Sequence, residues 1–304
     1  MVSNCYSNSL NIKFNKKMIY EGKHKVYFEK LFNEIAKKSN GYWSKEDFIN
    51  LLERPEVDTV YTDMLIKYAR PDSKQHQEVE AENYLKIFMR EDRIERGVKF
   101  LIDYSKILNK AESTFGVKKK DIVSIMMWES GLGEFTGNYR IFNIFLNQIL
   151  FIEDAEKYSV EKFINENGKS PYKDKSEEEK AKKRLNRIKN NAVNSLIALL
   201  RESKKNKLDP LKQLGSWGGA IGYVQFMPFN LHYIVDGDKN GEKDLYTFPD
   251  AIFSCANFLN KVGKYKSDEN SRQRAIYRYN PSENYVKGVI AYADTIWNRY
   301  TNRK

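Results

Sequence analysis

The sequence has few of the residues that build the commonest metal and nucleophile sites. Only two cysteines, Cys5 and Cys255, occur in 304 residues, which excludes a disulfide framework and a cysteine-based zinc site. The three histidines, His24, His76 and His232, lack the spacing of a metal site or a Ser-His-Asp triad. Catalysis therefore falls to carboxylates. Cys255 lies in the apolar run AIFSCANFL and is expected to be a small core residue.

Long apolar runs are also missing. No window approaches the roughly eighteen uncharged apolar residues of a membrane span, so no transmembrane segment is expected. The N-terminus MVSNCYSNSLNIKF lacks the basic start and apolar centre of an export signal. Its Cys5 resembles only weakly the lipid-anchored cysteine of a lipoprotein, because Asn4 is a poor fit before it, and a polar tail is the preferred interpretation.

The composition is that of a folded protein with a basic surface. Hydrophobic residues make up 41% and charged residues 31%, and 20 Tyr and 17 Phe are too many rings for a disordered polyelectrolyte. The chain is long enough for one large domain or two smaller ones. The net charge of +11 favours polyanionic surroundings: nucleic acid, anionic envelope polymers or a membrane face.

Helical periodicity dominates and predicts a mainly α fold. Helices are expected at 26–38, after a cap at Ser44, and as one long helix at 93–116. The charged stretch 171–192 fits a solvated helix better than a mobile insertion. No repeat or strand ladder is evident, so any sheet is small, with at most a short hairpin.

The first candidate for chemistry is Glu129, in DIVSIMMWESGLGEFTG. It ends an apolar helix beside Trp128, and Gly131 and Gly133 open the backbone after it. Desolvation there would raise the carboxyl pKa and suit a general acid. The alternative is a helix-end carboxylate turned to solvent.

The second candidate is the glycine-rich block GSWGGAIGYVQFMP, which contains Gln225. Glycines allow a ligand close to the backbone, and amide donors with a glutamine suit sugar hydroxyls and acetamido groups better than phosphate. A tight structural loop is the alternative.

A further motif, RYNPSENY, contains Tyr279 and Tyr285. These tyrosines could stack on sugar faces, or they could simply pack in the core.

The third candidate is DGDKNGEKD, which has the spacing of the front half of an EF-hand loop. Asp236, Asp238 and Asn240 hold positions 1, 3 and 5, and the Glu242 carbonyl falls at position 7. Thr247 replaces the usual glutamate at position 12, and Asp250 is the nearest carboxylate that could close an enlarged loop. A structural Ca²⁺ or Na⁺ is predicted, with an Asx-rich turn as the alternative.

In this order, the motifs resemble those of the soluble MltB-type lytic murein transglycosylases. Glu129 to Gly133 is similar to the family's Glu-Ser/Thr-x-x-Gly element, and Gly215 to Pro228 to its glycine-rich block. Asp236 to Leu259 and Tyr279 to Tyr285 match the remaining two motifs. Phe258 stands where many members have Tyr. The similarity covers residues 90–300.

The resemblance implies a lysozyme-like catalytic core at 91–304 behind a helical N-terminal region at 1–90. It also implies a charged helical insertion at 152–192 and no small β domain between Gly263 and Tyr279. Glu129 would be the sole acid and base, and the cation would bind at Asp236 to Asp250. The residues expected to bind substrate are Ser130, Ser216, Gln225, Phe258, Tyr279, Asn280 and Tyr285.

The implied activity is non-hydrolytic cleavage of the MurNAc-β-1,4-GlcNAc bond of peptidoglycan, giving 1,6-anhydroMurNAc ends without a cofactor, in the periplasm of a bacterial envelope. Three alternatives stay open. A hydrolytic muramidase would need Glu134 or Asp154 to position water. A non-catalytic envelope protein would bind glycan without cleaving it. A nucleic-acid binder is suggested by charge alone and has no fold signature, so no nucleic-acid partner is expected.

Overall fold

A computed structural model describes residues 10–70 and 86–303. Cys5 and His76 therefore lie outside the described residues. Within them the fold is mainly α, as predicted. The helices are α1 (Lys25–Lys38), α2 (Lys45–Leu52), α3 (Thr62–Ala69), α4 (Glu91–Asp103), α5 (Ser105–Phe115), α6 (Lys119–Ser130), α7 (Ile141–Asn167), α8 (Lys175–Lys205), α9 (Phe248–Lys261), α10 (Glu269–Tyr279) and α11 (Glu283–Thr301). None of these helices combines the length and apolar character that a bilayer crossing requires.

The chain divides into two compact units, each built from separated segments. The first contains Met1–Ser73 and Asn138–Gly219, and the second contains Lys74–Gly137 and Ala220–Lys304. This division by contacts differs from the single boundary after residue 90 expected from the sequence. An independently folding core that begins at residue 91 stays a prediction.

The first unit is built around α7. The first half of α7 is buried on all sides, and α7 packs against α3 and α8. The charged stretch at 171–192 lies mostly in α8, whose N-terminal half is largely exposed. The two strands, β1 (Tyr139–Arg140) and β2 (Leu214–Gly215), pair antiparallel. They come from distant parts of the chain, so the predicted hairpin was wrong in its connectivity.

The second unit is built around α6, which is buried along nearly its whole length. It packs against α11 and, with fewer contacts, against α4, α5 and α9. The buried Asp121 accepts hydrogen bonds from Arg272 of α10 at 2.7 Å and from the Tyr265 hydroxyl at 2.5 Å. Removing one partner of such a buried ion pair leaves an uncompensated charge, so this network fixes α10 against α6. Residues 262–268 connect α9 directly to α10.

The single helix predicted at 93–116 is two helices, α4 and α5. The chain leaves helical geometry at Tyr104, with φ −103° and ψ 17°. The Tyr104 ring packs against Phe100 and Phe248, with centroids 4.4 and 4.7 Å away. No glycine or proline marks the break, because its cause is aromatic packing against a distant segment.

Candidate active site

Glu129 lies in the last turn of α6, where the helix ends sharply. Gly131, Leu132 and Gly133 have positive φ values of 59°, 56° and 87°. The N–H groups of Gly131 and Leu132 donate to the carbonyls of Met127 and Met126 at 2.8 and 3.1 Å. Glycine adopts this left-handed backbone without cost, whereas Leu132 is strained. The sharp end of the helix leaves Glu129 partly accessible to solvent.

The carboxyl of Glu129 has one strong hydrogen bond, from Tyr285 of α11. The Tyr285 hydroxyl donates to Glu129 Oε1 at 2.5 Å. Desolvation by the surrounding protein raises the pKa of Glu129 to about 7, although this hydrogen bond acts in the opposite direction. Burial and the Glu129 charge raise the pKa of Tyr285, which keeps its proton. Near neutral pH, Glu129 can therefore both donate and accept a proton.

Trp128 precedes Glu129 in α6 and packs against other aromatic rings. Its ring lies 4.8 Å from Phe88 and 5.8 Å from Tyr285, measured between centroids. A Cβ at Gly288 would lie 2.2 Å from the indole, so only glycine allows α11 this close. The buried indole Nε1 has no hydrogen-bond partner among the described residues.

Ser130 links the end of α6 to the glycine-rich block. Its buried hydroxyl donates to the Tyr223 carbonyl at 2.7 Å and accepts from the Gly133 N–H at 3.0 Å. Both contacts are to backbone, so this geometry gives Ser130 a positioning role and does not favour the predicted substrate contact.

Gln225 lies in the glycine-rich block with a positive φ of 47°, which is rare for a residue with a side chain. Its Nε2 donates to the Gly222 carbonyl at 2.8 Å and to the Thr136 carbonyl at 3.5 Å. Gly222 is required because a Cβ there would lie 2.2 Å from Leu245. Gln225 is half-buried, and its Oε1 is the atom it can offer to a ligand.

Phe258 and Tyr279 lie in an aromatic cluster beneath this block. Phe258 is 4% exposed and packs on Phe226, Tyr233 and Tyr279. This packing does not favour the predicted substrate contact of Phe258, because its ring is enclosed by other rings, and the contact stays a prediction. The Tyr279 hydroxyl donates to the Val224 carbonyl at 2.5 Å.

Asn280 follows Tyr279 as the C-cap residue of α10 and is half-buried. Its N–H donates to the Ile276 carbonyl at 3.1 Å, and its carbonyl accepts from the Ser282 N–H at 2.8 Å. These bonds form the turn into α11. The predicted substrate contact of Asn280 stays a prediction.

The acidic loop brings three carboxylates together. One oxygen each from Asp236, Asp238 and Asp250 lies within 4.8 Å of the others. Asp250 is buried and accepts hydrogen bonds from the N–H groups of Gly237 and Asp244, both at 2.7 Å. Burial raises the pKa of Asp250, although those two bonds oppose the shift.

Asx-type hydrogen bonds also occur in this loop. Asn240 Oδ1 accepts from the Glu242 N–H at 2.7 Å, and Asp236 accepts from the Gly241 N–H at 2.9 Å. The oxygen-only donor set is one that Ca²⁺ uses, and Asp250 lies with Asp236 and Asp238 in the cluster. The predicted enlarged EF-hand-like site stays a prediction.

The two carboxylates considered for a hydrolytic mechanism are both ion-paired. Glu134 accepts hydrogen bonds from Arg93 and Arg96, and the bond from Arg93 is the main cause of its lowered pKa. Asp154 belongs to the first unit and pairs with Lys23 at 2.7 Å.

The family model described as "Transglycosylase SLT domain" matches residues 13–272. The chain belongs to this family. Among curated proteins, the membrane-bound lytic murein transglycosylase B of Escherichia coli is 28% identical over 188 residues, which cover 61% of this chain. Those residues span only 43% of the relative's length.

Solved structures support the lysozyme-like SLT fold predicted from the motifs. SLT35 of Escherichia coli, solved with bulgecin A and separately with calcium, has a TM-score of 0.65 and 18% identity, over 90% of this chain and 93% of its own. SltB3 of Pseudomonas aeruginosa, in complex with NAG-anhNAM-pentapeptide, has a TM-score of 0.60 and 17% identity, over 89% of this chain and 79% of its own.

In this SLT-domain protein, the predicted site residues divide between the two units. Glu129, Gln225, Tyr285 and the acidic loop belong to the second unit, whereas Ser216 follows β2 in the first. The Ser216 carbonyl accepts from the Gly219 N–H at 2.9 Å. Its predicted contact with substrate stays a prediction.

Sequence reasoning missed residues that hold the SLT site in shape. Thr136 and Tyr223 act through backbone carbonyls, which no side-chain pattern reveals. Arg93 and Arg96 bind Glu134 from α4, and their spacing of three residues on one helix face was the only signal available.

Proposed function

We propose that this SLT-domain protein is a peptidoglycan lytic transglycosylase that uses Glu129 first as general acid and then as general base. The observation that carries the proposal is the hydrogen bond from Tyr285 to the carboxyl of Glu129 at the end of α6, where desolvation raises the pKa of that carboxyl to about 7. The names of the relatives support the substrate, because one is a murein transglycosylase and SltB3 was solved with a muropeptide.

In the first step, protonated Glu129 donates its proton to the glycosidic oxygen as the bond from MurNAc C1 to that oxygen breaks. The GlcNAc side leaves as an alcohol, and the MurNAc acetamido group stabilises the electron-poor C1. Tyr285 donates to the carboxylate that forms on Glu129 and so stabilises the charge that appears during the step.

In the second step, the Glu129 carboxylate removes the proton of the MurNAc C6 hydroxyl, and O6 forms the new bond to C1. This returns the proton to Glu129, consumes no water and leaves a 1,6-anhydroMurNAc end. A nucleophile in the same sugar has a high effective concentration, so no second carboxylate is required. The ion pairs of Glu134 and Asp154 support this mechanism over hydrolysis.

We also propose that Asp236, Asp238, Asn240, the Glu242 carbonyl and Asp250 hold a structural Ca²⁺. Support comes from the three converging carboxylates and from the related SLT35, which was solved with calcium. The ion would join the end of the glycine-rich block to the start of α9 and take no part in proton transfer. The proposed location is the bacterial periplasm, where murein is accessible.

The decisive experiment is digestion of purified sacculi by wild type and Glu129→Gln, with mass spectrometry of the muropeptides. We expect anhydro products, lighter by one water than hydrolytic ones. We expect at least a 100-fold loss in the variant, because the amide cannot transfer the proton. Products that carry the extra water would identify a muramidase. Activity in Glu129→Gln above about a tenth of wild type would exclude Glu129 as the acid and base.

A further inference from the structure

A groove apart from the residues around Glu129 lies wholly within the first unit and is lined by α1, α7 and α8. Its volume is about 1030 Å³, at the upper end of the volumes of small-ligand sites. The apolar part of its lining includes Leu31 and Ile149, which are only 2% and 3% exposed, and the half-buried Val193 and Tyr27 ring. Its polar part includes four asparagines, Asn33 of α1 and Asn186, Asn190 and Asn194 of α8.

The three asparagines of α8 are spaced four residues apart and therefore form a stripe along one helix face. All three are exposed, and none has a side-chain hydrogen bond to any of residues 10–70 or 86–303. Asparagine is a poor residue for a helix interior, because its amide competes for backbone hydrogen bonds. Three of them in one exposed stripe reduce the stability of α8 with no compensating side-chain hydrogen bond among the described residues.

The charged groups of this groove largely neutralise each other. Glu34 pairs with Lys38 at 2.5 Å, and Glu153 pairs with Lys189 at 2.8 Å. Among the described residues, only Lys30 of the lining has no ion pair. One free cation is too few for nucleic acid, which is held by many phosphate contacts. It is also too few for a peptide that carries several carboxylates.

We propose that this groove, called the asparagine groove below, binds the glycan strand of peptidoglycan at a site separate from the residues around Glu129. Each amide offers a donor pair and an acceptor, which match the hydroxyl and acetamido groups of an uncharged sugar backbone. This inference rests on the proposed function for the identity of the glycan.

The test compares the triple variant Asn186→Ala, Asn190→Ala, Asn194→Ala with Asn191→Ala. Asn191 is also exposed on α8 but does not line the groove, so it is the matched control. All variants carry Glu129→Gln in the full chain, so that glycan is not consumed. The probe is a strand of alternating GlcNAc and MurNAc whose lactyl carboxyls are capped as amides, so that it carries no charge, with the isolated stem peptide as a second probe.

We expect the triple variant to bind the strand about tenfold more weakly, through the loss of several neutral hydrogen bonds, and the control to bind as the parent does. The melting temperature of the triple variant should not fall, because alanine favours the helix. Equal strand binding by the triple variant and the parent would overturn the proposal. The proposal would also be overturned if the triple variant bound only the stem peptide, and not the strand, more weakly than the parent does.

Cleavage of a short soluble glycan by the same variants with Glu129 intact separates this inference from the proposed function. We expect the triple variant to cleave it at the wild-type rate. If wild type cleaves no glycan, the proposed function fails, whereas the asparagine groove is still judged by its binding difference. A parallel fall in cleavage of the short glycan would overturn the claim that the groove is a separate site.

Discussion

At the scale of single residues, the environment of Glu129 matters more than its identity. Many glutamates occupy helix ends, but Glu129 follows a tryptophan whose indole Nε1 is buried, and it accepts a hydrogen bond from the Tyr285 hydroxyl. Burial favours the protonated acid, and the Tyr285 hydroxyl partly restores the stability of the carboxylate. The balance between these two effects sets the pKa at which the same group can act as acid and base.

Replacing Tyr285 with phenylalanine should raise the pKa of Glu129, because the lost hydrogen bond had stabilised the carboxylate. In the proposed mechanism catalysis begins with protonated Glu129, so the basic limb of the kcat/KM profile should move to higher pH by roughly one unit. Tyr279→Phe is the matched control, since that hydroxyl bonds the Val224 carbonyl. A basic limb that does not move in Tyr285→Phe would show that the hydrogen bond does not set the pKa.

The same pKa predicts how stability depends on pH. From pH 4.5 to about 7, Glu129 is ionised in the unfolded chain but still protonated in the folded one. The folded state then binds more protons, so the free energy of unfolding falls as pH rises through this window, by about 3 kcal/mol at most. Glu129→Gln should lack this loss and become the more stable protein above pH 7. Chemical denaturation of both proteins from pH 4 to 8 measures the free energy of unfolding. If the two plots of unfolding free energy against pH are parallel, the prediction is contradicted.

At the scale of elements, the sequence predicted correctly those features that depend on neighbouring residues. Ser44 was predicted to cap a helix, and its hydroxyl accepts from the Asp47 N–H at 3.0 Å while Asp47 accepts from the Ser44 N–H. The break at Tyr104 was missed because a segment far along the chain causes it.

The hydrogen bond between Glu129 and Tyr285 joins residues 156 apart in sequence. No periodicity encodes such a pairing, and only the order of the motifs suggested that the two side chains share a site. Conversely, the burial of Phe258 could not be read from the family pattern, because three distant rings enclose it.

The acidic loop carries a prediction at this scale. Calcium at about 100 times its Kd should raise the melting temperature by roughly 5 °C, because the ion binds only the folded loop. Asp250→Asn should abolish most of that increase. Asp268→Asn is the matched control, because an asparagine can still cap α10 and Asp268 lies outside the acidic cluster. An equal calcium response in both variants, or the same response to Na⁺ at equal ionic strength, would exclude a specific calcium site there.

At the scale of the whole molecule, the net charge of +11 predicts a separate contribution to substrate capture. Exposed charges attract anionic sacculi but are screened within about 10 Å at 0.1 M salt, so adsorption to sacculi should weaken as salt rises. Proton transfer at the Glu129 carboxyl, which is desolvated by the surrounding protein, should not weaken with salt. Adsorption and turnover of a short uncharged glycan, measured across one salt series, distinguish the two. If both fall in parallel, surface charge does not act separately from the active site. If neither falls, the excess of lysine and arginine has no part in capture.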